Sequence, residues 1–324
     1  MKAIKKKVAL ALAMTAIVTS MVGCTGNKAE TATTSDLSEL TITHVTSPLN
    51  VPSIIQKNKG IFTQEFSENG KNIEVKYAEI TSGADQTQAL ASGDVDILYA
   101  VGGTSVVSAA ANGADIKILN MYSRSPKAFC LYSKDDSIKS AEDLRGKTIA
   151  GPVGTNLHQL LLEYLAKAGM TIDDVNYVNM KIPDAKAALD GGSVDAALVA
   201  GPTAYKSKQQ GYHLVTDGEG LTDAVIAVAV REDFYNEHKD IIDMFMNAED
   251  KIIEYMENNY DETMDIVATE LDLDKSAVEE MYTQYDFNPE ITEEDRAAFQ
   301  NVADFMYDTG MIDTEFDTSS LFLD

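Results

Sequence analysis

Residues 89–104 read ALASGDVDILYAVGGT and residues 188–203 read ALDGGSVDAALVAGPT. Aligned without a gap, the two stretches share Ala, Leu, Gly, Val, Asp, Gly and Thr at the same places. Each closes on a Gly-x-Thr turn: Gly102-Gly103-Thr104 in the first and Gly201-Pro202-Thr203 in the second. Where such a turn opens a helix, it offers a hydroxyl, unpaired backbone N–H groups and the positive end of the helix dipole. That is equipment for holding a polar or anionic ligand by hydrogen bonds, and two matched copies imply two surfaces that share one ligand.

The residues that carry covalent or metal chemistry do not converge in the sequence. His44, His158, His213 and His238 are scattered, with no HExxH, GxSxG or phosphate-loop pattern. Of the two cysteines, Cys24 follows an apolar run and Cys130 sits inside AFCLYS, so neither a zinc set nor an internal disulfide in the exported chain is expected. No catalytic residue, metal ligand or cofactor is assigned, and the chain reads as a non-enzyme.

The elements around the turns alternate. TITHVTS, IEVKYAEI, VDILYAV and IKILNMYS read as strands, separated by helical stretches such as VPSIIQKNKGIFTQEF, with its glycine break, and ADQTQALASG. A second unit repeats the pattern with AFCLYS, TIAGPV, NLHQLLLEYLAKAG, VNYVNMK, PDAKAALDGG and VDAALVA, and AVIAVAV is a further strand. Strand–helix alternation at this spacing argues for parallel α/β sheets. In such sheets ligands bind beyond the carboxyl ends of the strands, where both Gly-x-Thr turns fall. From about Arg231 the chain reads as helical, FYNEHKDIIDMFMNAEDKIIEYMEN carrying an apolar stripe and ITEEDRAAFQNVADFMYDTG opening on a cap signature.

The N-terminus reads as an export segment. MKAIKKK is basic, VALALAMTAIVTSMV is an apolar run of about 15 residues, and Gly23-Cys24 follows. The segment resembles a bacterial lipoprotein signal, which implies lipid attachment at Cys24, and TGNKAETATTSDLSEL reads as a flexible tether. The chain carries 26 basic and 52 acidic side chains, for a net charge of −26. Removal of residues 1–23, with four lysines and no acid, takes the net charge to about −30. This argues against nucleic acid as a partner.

Three stretches carry a family resemblance: SGADQTQALASGDVDILYAVGGT (82–104), AEDLRGKTIAGPVGTN (141–156) and SVDAALVAGPT (193–203). With the tail ITEEDRAAFQNVADFMYDTGMI, they resemble the type II solute-binding lipoproteins of ABC importers, in the nitrate/sulfonate/taurine and thiamine-pyrimidine-precursor branch. The resemblance covers nearly all of residues 41–315. It implies a two-lobed clamshell of the type II periplasmic binding protein class, each lobe a mainly parallel sheet flanked by helices, with the helical C-terminal tail on lobe one. Lobe one is expected at 38–129 and 226–324 and lobe two at 130–225, after a signal at 1–23 and a tether at 24–39. AFCLYS and AVIAVAV would lie at the two crossings. The expected role is ligand capture and delivery to an ABC permease and its ATPase, by a monomer lipid-anchored on the outer face of the cell membrane. A surface sensor or protein-binding clamshell, or a secreted enzyme, is the alternative.

The expected ligand contacts come from the strand-end loops. In lobe one they are Ser47, Pro48 and Leu49, then Ser82 and Gly83, then Gly103, Thr104 and Ser105; in lobe two they are Gly154, Thr155 and Asn156, then Pro202 and Thr203. Arg124 could pair an anionic head group or form a surface or hinge salt bridge, His158 could face the cleft or pack in its helix, and Asp85 could cap a helix or meet a ligand N–H. These loops carry neutral donors, which suits a small anion held by backbone dipoles or a neutral heteroaromatic. Without tryptophan, an aromatic ligand would stack on tyrosine or phenylalanine, with Tyr122 and Tyr205 as candidates.

Overall fold

The computed structural model describes residues 37–323. The export segment, Cys24 and the tether as far as residue 36 lie outside the described residues. The first strand begins at Glu39, inside the stretch assigned to the tether.

The chain first builds β1 (Glu39–Thr43), α1 (Val51–Lys59), α2 (Ile61–Glu68), β2 (Glu74–Ala78), α3 (Gly83–Ser92), β3 (Ile97–Gly102), α4 (Gly103–Ala111) and β4 (Lys117–Arg124). It then crosses to β5 (Phe129–Ser133), β6 (Thr148–Gly151), α5 (Asn156–Lys167), β7 (Asn176–Asn179), α6 (Ile182–Gly191), β8 (Ala196–Ala200), α7 (Pro202–Gln209) and β9 (His213–Asp217). It returns through β10 (Val225–Val230) and ends in α8 (Glu232–Glu237), α9 (Lys239–Asn258), α10 (Tyr260–Leu271), α11 (Lys275–Tyr282) and α12 (Glu293–Asp308). The helical stretch divides at His238, whose φ of −126° and ψ of 39° are not helical, and the apolar stripe from Ile241 to Met256 lies whole within α9.

Two five-stranded sheets result, in the orders β2-β1-β3-β10-β4 and β7-β6-β8-β5-β9. They match strand for strand. β3 and β8, the strands of the repeated stretches, are both central. The strand that runs against its neighbours is β10 in the first sheet and β5 in the second, so the remaining strands of each sheet run one way. These two strands are AVIAVAV and AFCLYS, the segments expected at the crossings.

The Val-Asp of each repeat has the same task in each sheet. Asp96 accepts the Thr41 backbone N–H at 2.8 Å through Oδ2, and its own N–H donates to the Thr41 carbonyl at 2.9 Å. Asp195 accepts the Thr148 N–H at 2.7 Å and donates to the Thr148 carbonyl at 2.8 Å. Each aspartate therefore fastens the start of the central strand to its parallel neighbour and fixes the register between them. Burial raises the Asp96 carboxyl above its ordinary value, against the lowering effect of the Thr41 N–H. Gly93 and Gly192, at φ of 80° and 71°, end the preceding helices in the left-handed conformation that glycine adopts without strain.

The apolar faces are covered from both sides. α1, α9 and α10 close one face of the first sheet around Phe62, Tyr99 and Phe245, and α4 with α12 close the other around Val106 and Phe299. α5 covers one face of the second sheet and α6 with α7 the other. Cys130 belongs to this packing: burial pushes its thiol up to about 12, which leaves it an inert core residue.

One acid is folded into the first core. Glu249, 5% exposed, accepts from Asn120 Nδ2 at 2.5 Å, and burial pushes its carboxyl up to about 8. Its folded-state value lies above the ordinary 4.5, so its favourable contribution is fully present below about pH 4.5 and is lost as pH rises through about 8. Glu249→Gln is expected to flatten the fall of the melting temperature between pH 5 and about 8.5, measured by circular dichroism; an unchanged slope would remove this account. Asp195→Ala leaves a strand amide unpaired and should cost about 1–3 kcal/mol in urea unfolding, with Asp195→Asn milder because its amide oxygen still accepts.

Candidate functional site

The carboxyl ends of β1, β2, β3 and β4 lie along one edge of their sheet, and those of β6, β7 and β8 along one edge of theirs. The two edges meet. At one contact the Thr104 hydroxyl donates to Asn156 Oδ1 at 3.3 Å, and Asn156 Nδ2 donates to the Val225 carbonyl at 3.5 Å, where β10 enters the first sheet. At the other, Gly201 lies against the Pro48 carbonyl so closely that an added Cβ would stand 2.0 Å from that oxygen. Gly201 also holds φ 52° and ψ −131°, a conformation open essentially to glycine alone. A bulge in β3 aims the first of these loops. β10 pairs Ala227 with Val101 and Val228 with Tyr99, leaving Ala100 between them at a φ of 79°.

The helices that begin on these edges include α3 at Gly83, α4 at Gly103, α5 at Asn156 and α7 at Pro202. Their unpaired N–H groups and dipoles supply positive potential without a charged side chain.

The expected site residues fall into distinct groups. Asn156 and Thr104 form the inter-lobe contact, Thr104 being 0% exposed with its hydroxyl already bonded to Asn156. Pro48 presents its carbonyl to Gly201, and Ser47 beside it is exposed. Leu49 is 0% exposed and its aliphatic side chain belongs to the lobe-one core, not to the loop surface. Ser82 caps α3 by accepting the Asp85 N–H at 3.4 Å, while the Asp85 side chain is exposed in the first turn. Gly83 rests on Ser105, whose Oγ would lie 2.1 Å from an added Cβ. Gly103 faces Val225 and Phe299 in the core. In lobe two, Gly154 turns the loop at a φ of 72° and donates its N–H to His158 Nδ1 at 3.3 Å. The Thr155 hydroxyl donates to the Pro152 carbonyl and the Thr203 hydroxyl to the Ala200 carbonyl, at 3.0 and 2.6 Å. Pro202 occupies the first turn of α7, where no N–H is required.

Arg124 forms a salt bridge, the alternative to pairing an anionic head group. Its Nε donates to Asp295 Oδ1 at 2.6 Å, and its remaining nitrogens reach Asp295 Oδ2 and the carbonyls of Asn288 and Glu290. Burial pushes the Asp295 carboxyl upward, but the donors of Arg124 and Thr292 outweigh it and hold it below its ordinary value. His158 is buried and stacks on Tyr177 with ring centroids 5.0 Å apart; burial lowers its imidazole. Tyr122 is buried with its hydroxyl against Ser53, and Tyr205 packs on the lobe-one core. Tyr122 is therefore not an open stacking platform, whereas Tyr205 is half-buried on α7, between the lobes. Gly201 and Val225 are contacts that the list of candidates lacks, although Gly201 shares the repeat position of Gly102. Among the described residues, no group of three or more His, Cys, Asp or Glu could hold a metal ion, and no helix is long and apolar enough to cross a membrane.

A family model described as NMT1/THI5 like matches residues 50–263. A Bacillus subtilis protein described as aliphatic sulfonates-binding is 29% identical over 275 residues, 83% of this chain and 82% of that one. The taurine-binding periplasmic protein of Escherichia coli is 30% identical over 178 residues, 54% of this chain and 55% of its own length. Among solved structures, the alkanesulfonate-binding protein of Xanthomonas axonopodis pv. citri, bound to MOPS, aligns with a TM-score of 0.80 at 21% identity, over 89% of this chain and 99% of that one. The Escherichia coli periplasmic aliphatic sulphonate-binding protein gives 0.74 at 20% identity, over 88% and 97%. The structural likeness is one of fold: the two-lobed periplasmic binding protein architecture.

Gly201→Ala should keep the loops apart. Small-angle scattering is expected to show a larger radius of gyration than wild type, with a melting temperature below that of Gly102→Ala, because alanine is strained at the φ of Gly201 and Gly102 has ordinary extended backbone with 3.7 Å to its nearest neighbour. A wild-type radius in Gly201→Ala would show that this contact does not control closure.

Proposed function

We propose, from the premise that this chain belongs to the NMT1/THI5-like family, that it captures a small organic anion between its lobes for an ABC importer. The observation that carries the reading is the meeting of the two strand-end edges, Thr104 on Asn156 and Gly201 on Pro48, with helix starts from both lobes beside the contacts. Capture by closure needs such contacts, because a ligand between the edges would be enclosed by both lobes and would in turn favour their contact.

The ligand class follows from the lining. Arg124 is committed to Asp295, so charge recognition falls to helix N-termini and to the hydroxyls and amides of the loops. A compact tetrahedral anion on a short chain, of the alkanesulfonate or taurine class, matches donors that converge from several directions. A flat heteroaromatic is less suited, since Tyr122 is buried and only the half-buried Tyr205 is left to stack on. The names of the aliphatic sulfonates-binding and taurine-binding relatives support the same class. Ser47, Ser82, the 152–156 loop and the Pro202–Thr203 turn are the proposed contact points. Each hydrogen bond contributes about 0.5–1.5 kcal/mol net, so several must act together to reach about −8 kcal/mol, the free energy of micromolar binding. Capture, not turnover, is the proposed role, with a permease and its ATPase as partners and a lipid anchor on Cys24 holding the protein outside the cell membrane.

Isothermal titration with taurine, ethanesulfonate, nitrate and an aminopyrimidine tests the reading. Saturable one-to-one binding of a sulfonate is expected, weakened about tenfold or more by Asn156→Ala, a loss of about 1.4 kcal/mol. Folded protein that binds only the pyrimidine would overturn the ligand class, and silence toward the whole series would overturn the anion reading.

A further inference from the structure

The 152–156 loop runs into a helix whose first amides are left open. Thr155 stands at the N-cap of α5, but its side chain does not cap the helix; its hydroxyl turns back to the Pro152 carbonyl. The N–H groups of Asn156 and Leu157 have no carbonyl within the helix to bond. The residues before them are tied down. Val153 donates its N–H to Asn179 Oδ1 at 3.2 Å, at the end of β7, and Gly154 donates its N–H to His158 Nδ1 at 3.3 Å. His158 is the third residue of α5, so its side chain reaches back over the helix start to the residue before the cap.

A histidine suits this place for a physical reason. An acid at the third helical position can accept a backbone N–H at the helix start, as Asp295 does from the Thr292 N–H at 2.8 Å in α12. A carboxylate at the same place in α5 would set a negative charge beside amides that are to hold an anion. A neutral imidazole accepts the Gly154 N–H without that charge. Because Nδ1 is the acceptor, the ring proton sits on Nε2. Tyr177 of β7 fixes the ring from its face, with centroids 5.0 Å apart and planes 15° apart. Among the described residues no charged group shifts the imidazole: burial alone lowers it. Burial also raises the Tyr177 hydroxyl far out of the neutral range, and Glu163, further along α5, is turned to Gln159.

We infer that His158 is a positioning residue for the lobe-two loop, its neutral imidazole holding the Gly154 amide, and with it the open amides of α5, in the geometry that binds the anion. This rests on the anion-capture reading and adds a control to the same site. An imidazolium has no lone pair for the Gly154 N–H and would set two N–H groups against each other, beside the positive end of α5. Protonation therefore releases the loop. Affinity is full while the ring is neutral and is lost as pH falls below the ordinary histidine value of 6.5.

The test is titration calorimetry with ethanesulfonate, which keeps one negative charge from pH 8 to pH 5. Wild type is expected to bind about fivefold more weakly at pH 5. His158→Leu offers no acceptor and should already be about fivefold weaker at pH 8. In His158→Asn the side-chain oxygen stands near the place of Nδ1 and does not titrate, so this variant should recover most of that loss and bind with a flat pH profile. The inference is overturned if wild type and His158→Asn share one profile, or if His158→Asn binds no better than His158→Leu. Tighter wild-type binding at pH 5 also overturns it, since the imidazolium would then meet the ligand directly. A second measurement needs no ligand: in the free protein the Gly154 amide resonance should follow the titration of the His158 ring, and it should stay flat in His158→Asn. Folded protein that binds nothing at pH 8 would sink the anion reading, and the Gly154 resonance then decides the role of His158: an amide indifferent to the ring's protonation overturns it.

Discussion

A chain that leaves one sheet and later rejoins it must cross between the two twice, and here each crossing feeds a strand that opposes its neighbours. β5 enters the second sheet beside β8, and β10 re-enters the first beside β3. This pair of antiparallel insertions makes the two sheets equivalent in strand order and sets the carboxyl ends of the parallel strands facing one another. The loops that touch, the helix starts that converge and the Arg124 anchor all follow from that arrangement.

The repeated sequence serves this geometry more than it serves a ligand directly. In both copies, leucine packs, glycine ends a helix and aspartate fastens the central strand to its neighbour through the backbone of Thr41 or Thr148. The ends of the copies diverge. Gly102 has an ordinary extended conformation and leads to Thr104, which reaches across to Asn156; Gly201 takes a glycine-only conformation and lets lobe two rest on Pro48. Two copies of one supersecondary unit thus supply different halves of one contact.

Much of this was legible in the sequence because it is local. Strand alternation, the glycine stops, the Thr292 cap of α12 and the crossing strands all leave signals within a few residues. What was not legible depends on partners far along the chain. Arg124 keeps an anion-pairing role open beside a salt bridge until Asp295, 171 positions away, is seen to hold it. Leu49 follows a strand-end loop yet points into the core, and the Thr203 hydroxyl turns back to its own strand end. β9, with only HLVTD at the edge of its sheet, is too short and too polar to stand out from the turns around it. Ala100, at a positive φ inside an otherwise regular apolar strand, gives no sign in its residue type of the bulge that aims the neighbouring loop.

The central claim is that the facing edges enclose one small organic anion. Native mass spectrometry of the folded chain, mixed with an equimolar set of short sulfonates, carboxylates and amines, tests it most directly. The account predicts one retained sulfonate per chain, released on denaturation and lost in Asn156→Ala. Retention of no anion by folded protein, or retention indifferent to Asn156, would contradict it.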